Sequence, residues 1–560
     1  MATDSDAAGL ADEVLELFFE IEPLFPTLLG LPGHDDRIAD KSVAAEQRHR
    51  AALVALADRA ENLTMSTVDD GAALTATVVA QQARAEVDKL DARAVEYAIS
   101  DRLRAPFAEF LLLLPMVTLA DAAAADNLLV RLRAVPEFLA QITERHREGL
   151  AAGLTPVAHL VRAAVAQLDR YFTNGPAAML ATQAAPADRP SFADERTQVL
   201  ADVVWPAMRR YRDMLADEFV GSGRPDDRGG MCWLPGGDGF YAGLVRAHTT
   251  TDRTPEELHR TGLDVMARVG EEFAELGERV FGTSDLATIL ARLRDDQALR
   301  WRDEDELLAA ARATIQRAEA RAPEWFGRLP EQRCLVEAVP AADAPGAPGA
   351  YYLMASLDGS RPGTYFANTH KVGERARYTS EVTAFHEAVP GHHFQESLAM
   401  GLRDLPLLRR LADITAYSEG WGLYCERLAD EMGLYSDDVA RFGMLTMDSM
   451  RAGRLVADTG LHAKGWSRQQ SIDYLTANTP MPVLEIASEV DRYLAAPGQA
   501  LAYMVGRLEI ERIRAEAQRR LGDRFDIRAF HDRLLCDGPL PLNVLDRVLA
   551  GWVDRQLAAR

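Results

Sequence analysis

Apolar residues recur at intervals of three and four along most of this chain, the spacing that lines one face of an α-helix. Helix start signals punctuate the pattern. Thr254-Pro255-Glu256-Glu257 has the form of a capping box with proline in the first helical position, and Ser467-Arg468-Gln469-Gln470 repeats the form. The clearest strand candidates are 351–356 and 364–368, joined by a turn-rich connection at 357–363 that predicts a hairpin. No period of roughly 20 to 50 residues recurs, which argues against a solenoid. The pattern therefore predicts a mainly α fold with a small sheet at about 351–368. Glycine and proline concentrate in the stretch that begins at Gly221, which divides the chain into an N-terminal helical half, 1–220, and a second helical half with the sheet, 221–560.

Composition narrows the classes of partner. The 560 residues are 48% hydrophobic and 26% charged, enough to bury a large core. A net charge of -23 repels phosphate-rich partners, so neither nucleic acid nor an anionic membrane is expected. The first residues carry acids where an export signal needs a basic segment and an apolar run. The apolar stretches, such as the one from Phe110, fall short of the roughly 20 residues that span a bilayer. Cys232, Cys334, Cys425 and Cys536 are scattered without a Cys-x-x-Cys pair, which fits a reducing cytoplasm.

The chemistry concentrates at 379–400, where three of the twelve histidines fall. Thr379 or Ser380 can cap a helix that carries Glu381 in its first turn and His386-Glu387 further on. A zinc helix of the His-Glu-x-x-His type needs its second histidine four residues after the first, on the same face. Pro390 stands at that position, and the next histidines are His392 and His393. Six residues along a regular helix turn the second side chain about 120° away from the first. Pro390 removes a helical hydrogen bond and Gly391 is permissive, so a bulge or kink is expected to restore the convergence.

Two histidines call for a third ligand, and a glutamate on the following helix is a frequent solution in zinc hydrolases. That helix offers Glu419 and Glu426, seven apart on one face and surrounded by Tyr417, Trp421, Leu423 and Tyr424. Glu419 is the expected ligand. Glu426 is expected to support the site from behind or to form an ion pair, and Tyr417 to stand beside it. Further on, Arg454, Asp458 and His462 lie four apart on one stripe. Arg454 and Asp458 read either as a helical ion pair or as contacts near the substrate, while His462 is a candidate donor to a developing oxyanion. Tyr503, in a segment with Gly506, is a second such donor or else a core tyrosine.

As a set, HEAVPGHHFQ, SEGWGLYCE, DTGLHAKGW and PGQALAYMVG, in that order, resemble the bacterial family catalogued as domain of unknown function 885. The resemblance extends to FPTLLGLPGHDDRIAD and WLPGGDGFYAGLVRAHTTT and so covers nearly the whole chain. That family is similar in turn to helical zinc metallopeptidases of the thimet oligopeptidase, angiotensin-converting enzyme and Taq carboxypeptidase kind. The resemblance implies a large helical metallopeptidase-like fold with a deep central cleft and the small sheet as one wall. It also implies one Zn2+ ion held by His386, His392 and Glu419. The Gly-His pair matches Gly391-His392, which leaves His393 as the rival, and Val389-Pro390 stands as an insertion relative to the usual motif.

The expectation is a zinc-dependent hydrolase that cleaves amide bonds of short peptides or peptide-like molecules, with Glu387 as general base and Tyr503 and His462 as oxyanion donors. Two alternatives stay open at this point. Two histidines and one carboxylate also form the ligand set of non-haem iron oxygenases, and the chain could be an inactive metal-binding or scaffold protein.

Overall fold

The computed structural model describes residues 4–66, 70–102, 104–175, 183–341, 344, 347–357 and 361–559. The chain is mainly helical with one three-stranded sheet. Both capping boxes form. The Thr254 side chain accepts from the amide of Glu257 while that glutamate accepts from the Thr254 amide at 2.8 Å, which starts the helix Pro255–Phe281. Ser467 and Gln470 exchange the same pair of bonds at 2.7 and 3.1 Å ahead of the helix Arg468–Asn478.

The chain divides into two compact units. The first comprises Met1–Ala247 together with Gly460–Gln470 and Glu489–Pro497. Its core is built on the helices Ala122–Ala151 and Trp205–Met214, where Leu132, Val135, Phe138 and Ile142 join Phe107, Met208 and Tyr211 in one apolar cluster. Arg145, buried among them, is neutralised by Glu46 and Glu96. The glycine-rich stretch from Gly221 is not the boundary that its composition suggests. It is fastened into this unit by polar contacts: Arg224 donates to the carbonyls of Thr155, Arg228 and Gly229, and the Met231 amide donates to His462.

The second unit comprises His248–Thr459, Ser471–Ser488 and Gly498–Arg560. It holds the sheet, made of β1 (Leu335–Ala338), β2 (Ala350–Leu353) and β3 (Thr364–Ala367) in the order β1-β3-β2. β2 and β3 pair antiparallel with Tyr351 opposite Phe366, as the hairpin pattern predicts, although residues 358–360 of the connection lie outside the described residues. β1, parallel to β3, is a strand that the sequence does not announce. It has four residues, mostly exposed, and too few positions for an alternating pattern to show.

Five helices of this unit carry the candidate chemistry: α1 (Ser380–Glu387), α2 (His392–Gly401), α3 (Thr415–Glu431), α4 (Asp438–Ala463, to Thr459 within this unit) and α5 (Ala502–Leu521). α3 and α5 pack backbone to backbone, because a Cβ on Gly506 would stand 1.8 Å from the Ala416 carbonyl oxygen and one on Gly420 would stand 2.5 Å from Gly506. Asp448 of α4, fully buried, ties three helices together by pairing with Arg427 of α3 and Arg507 of α5. Among the described residues no helix is long and apolar enough to cross a membrane.

Asp448→Ala leaves two guanidinium groups without their shared counter-charge and is expected to cost about 3–5 kcal/mol. The loss should appear as a lower denaturant midpoint. Asp554→Ala, at an exposed pair with Arg520, should shift the midpoint by no more than about 1 kcal/mol.

Candidate metal centre

The expected kink is a full break. α1 ends at Glu387, Ala388 leaves helical geometry at φ -112° and ψ -96°, and a new helix starts at His392. Pro390 cannot donate to the helix, and Gly391 has no space for a side chain, since a Cβ there would stand 1.8 Å from the His386 carbonyl oxygen. The turn is pinned from α3, where Trp421 Nε1 donates to the Pro390 carbonyl at 2.9 Å and the Cys425 thiol contacts it at 3.3 Å. At the other end of α1 the expected side-chain cap is absent. Thr379 Oγ1 donates back to the Ala376 carbonyl, and Glu381 instead binds Arg317 and the Ser436 amide.

The break returns His392 to His386, with ring centroids 4.7 Å apart and planes nearly perpendicular at 88°. Glu419 completes the group, its Oε2 standing 3.4 Å from Nε2 of each histidine. These three ligand atoms all lie within 4.8 Å of one another. A separation of 3.4 Å is long for a hydrogen bond. It equals the edge of a tetrahedron with metal–ligand bonds of about 2.0–2.2 Å, which is roughly 3.3–3.6 Å. Glu419 Oε2 is buried without a hydrogen-bond partner, the state expected of an atom that faces a cation.

The second layer supports the same reading. His386 Nδ1 donates to Glu426 Oε1 at 2.8 Å, and because a carboxylate only accepts, this bond leaves Nε2 with a free lone pair toward Glu419. A Cβ on Gly422 would stand 2.6 Å from the His386 ring, so the second glycine of the SEGWG segment makes room for the imidazole. Burial disfavours a charged His386, yet the adjacent Glu419 carboxylate and the hydrogen bond to Glu426 prevail and raise its pKa to about 10. His392 moves upward for the same reasons, its burial outweighed by Glu419. Burial likewise works against the Glu419 carboxylate, but the two histidines hold it well below the usual range. The cluster thus demands positive charge, which protons on the imidazoles or a metal ion would satisfy.

Glu387 lies in the wall of a cavity of about 470 Å³ that His386, His392, Glu419 and Tyr503 also line, all within the second unit. Its carboxylate accepts from the Tyr352 amide of edge strand β2 at 3.1 Å. Tyr503 stands near the start of α5 with Arg454 over its ring at 4.5 Å and Arg451 at 5.3 Å. Asp458 accepts the Gly498 amide on both oxygens at 3.2 Å and so fixes the turn that leads to Tyr503.

Three other candidates are engaged elsewhere: the rival ligand His393, and His462 and Tyr417, whose expected roles are corrected. His393 faces away from the cluster, with Nε2 donating to the Gln332 carbonyl at 3.0 Å and Nδ1 bonded to the Tyr352 hydroxyl at 3.1 Å, while burial lowers its pKa to about 4. His462 cannot serve as an oxyanion donor. It belongs to the first unit, where Nδ1 accepts the Met231 amide and Nε2 donates to the Tyr493 carbonyl at 3.0 Å. Tyr417 is fully buried and donates to the Leu534 carbonyl, away from the cavity.

The cavity also contains residues that the sequence reading passed over. Glu396 stands one turn after His392 on α2, a spacing visible in the sequence, and burial raises its pKa to about 7. Arg451 and Arg410 line the wall as well, and no local pattern distinguishes them among so many arginines.

The chain belongs to the family described as bacterial protein of unknown function (DUF885), whose model matches residues 23–549. Two solved structures share the fold over nearly the whole chain. The crystal structure of a protein described as a putative lipoprotein from Colwellia psychrerythraea aligns with a TM-score of 0.88 and 25% identity, covering 99% of this chain and 100% of the other. A protein from Shewanella oneidensis, described as a putative lipoprotein of unknown function, aligns with a TM-score of 0.77 and 16% identity, covering 98% and 100%. No curated protein matches the chain.

Alanine at His386, His392 or Glu419 is expected to abolish stoichiometric zinc binding, whereas His393→Ala should retain close to one equivalent by elemental analysis. Gly422→Ala, which drives a methyl group into the His386 ring, should also lose the metal while the protein keeps its helical content.

Proposed function

We propose that the protein is a zinc-dependent hydrolase of amide bonds in short peptides or peptide-like small molecules. The observation that carries this reading is the placement of two histidine Nε2 atoms around one unpartnered carboxylate oxygen, with Glu387 in the wall of the same cavity. A zinc ion held by His386, His392 and Glu419 would supply Lewis acidity for the carbonyl and lower the pKa of a water toward neutrality. Glu387 follows a ligand directly in sequence without belonging to the ligand group, the position of a general base. Its carboxylate takes a proton from the attacking water and passes it to the leaving amine. The Tyr352 amide holds that carboxylate in place. The Tyr503 hydroxyl donates to the oxygen that gains charge as the carbonyl carbon becomes tetrahedral.

A cavity of about 470 Å³ suits a short substrate. The likeness to helical zinc metallopeptidases is part of this proposal and rests on the Gly391-His392 and Glu419 correspondences. Glu387 also favours hydrolysis over iron-dependent oxygenation, which needs no base beside the ligands. The four free cysteines are consistent with the cytoplasm as the compartment; the lipoprotein description belongs to the two similar structures.

Glu387→Gln preserves size and polarity but accepts no proton. It is expected to retain one zinc while hydrolysis in a quenched-peptide library falls by about 100- to 10,000-fold. Unchanged turnover with zinc retained would remove Glu387 from the chemistry. Tyr503→Phe should lower kcat by about 100-fold without loss of metal.

A further inference from the structure

We infer that Arg451 anchors a carboxylate of the substrate, so that the substrates are peptides or peptide-like acids with a free carboxylate near the scissile amide. The inference rests on the hydrolase reading above and specifies its substrate class. Arg451 is only 9% exposed, yet it lines the same cavity as His386, Glu387, Glu419 and Tyr503. Among the described residues it has no ion-pair partner. Its Nη1 touches only the sulfurs of Met447 and Met450 at 3.6 and 3.5 Å, both weak acceptors, and its Nε has no acceptor.

Other deeply buried arginines have oxygen acceptors: Arg131, Arg196 and Arg409 donate to backbone carbonyls, and two more face carboxylates. Arg145 faces Glu46 and Glu96, and Arg507 faces Asp448. The acids that act on Arg451 through space, Glu426 and Glu419, are engaged by His386 and His392. A guanidinium removed from water without a counter-charge is costly, and its planar fork matches a carboxylate in a bidentate pair. The Tyr503 ring lies 5.3 Å from the guanidinium carbon, which sets the anchor beside the proposed oxyanion donor. That carboxylate could be the α-carboxylate at a peptide's end or an acidic side chain.

The test is isothermal titration of the full-length, zinc-loaded protein with a panel of N-acetyl amino acids, their α-amides, and N-acetylglutamic acid α-amide. The acids are expected to bind at least about tenfold more tightly than their amides. Arg451→Gln should erase that preference with zinc content unchanged, and Arg451→Lys, which keeps the charge but not the fork, should restore part of it. Binding of N-acetylglutamic acid α-amide as tight as that of the acids would keep the anchor and assign it to an acidic side chain. Equal affinity for acids and amides, no binding by any acid, or full acid binding in Arg451→Gln would overturn the inference. Cleavage of amidated peptides without acidic side chains as fast as of the free acids would remove the anchor and leave the hydrolase reading standing. Acid-selective binding lost in Arg451→Gln, with no peptide cleaved by the wild-type protein, would do the reverse.

Discussion

The candidate site depends on one interruption, four residues long, between Glu387 and His392. On a continuous helix the two imidazoles would diverge, and no carboxylate on a neighbouring helix could face both. Pro390 ends the hydrogen-bonded ladder, Gly391 lets the chain turn back against the His386 carbonyl, and Trp421 and Cys425 hold the turn from α3. The same helix that holds the turn supplies Glu419 and Glu426. The break and the group of His386, His392 and Glu419 are therefore one packing unit, and a shift of α3 would disturb both. The position of α3 is set in turn by the glycine contact with α5 and by the buried charges around Asp448.

Electrostatics follows from that packing. Glu387, Glu396 and Glu419 converge on one cavity, with Glu426 behind His386. Two imidazoles and two arginines, Arg410 and Arg451, stand against four acids, so the site favours a cation at its centre. A single ion among the ligand atoms relieves this excess without protonating the histidines. Glu387, the proposed base, would then stay outside the ligand group, its carboxylate held by a backbone amide from β2.

Much of this was legible in the sequence. The 3.6-residue periodicity predicts the helical class, the two capping boxes form as written, and the hairpin of β2 and β3 lies where its strand and turn residues suggest. The grouping of His386, His392 and Glu419 is visible because each residue type and spacing is restricted by metal chemistry. His462 and Tyr417 were misplaced for a different reason. Helical spacing shows which residues share a face but not what that face meets, and the partners of these two come from Met231, Tyr493 and Leu534, remote in sequence. The role of the stretch from Gly221 was hidden likewise, because composition marks a loop without saying where the loop is fastened.

Everything proposed for this site requires one metal ion among His386, His392 and Glu419. Anomalous diffraction at the zinc edge, on crystals of protein purified without added metal, tests it most directly. A single strong peak is expected about 2.0–2.2 Å from Nε2 of both histidines and from a Glu419 oxygen, with Glu387 beyond bonding distance. A peak at another place, an iron signature at this one, or hydrogen-bonded imidazoles around Glu419 with no anomalous density would contradict it.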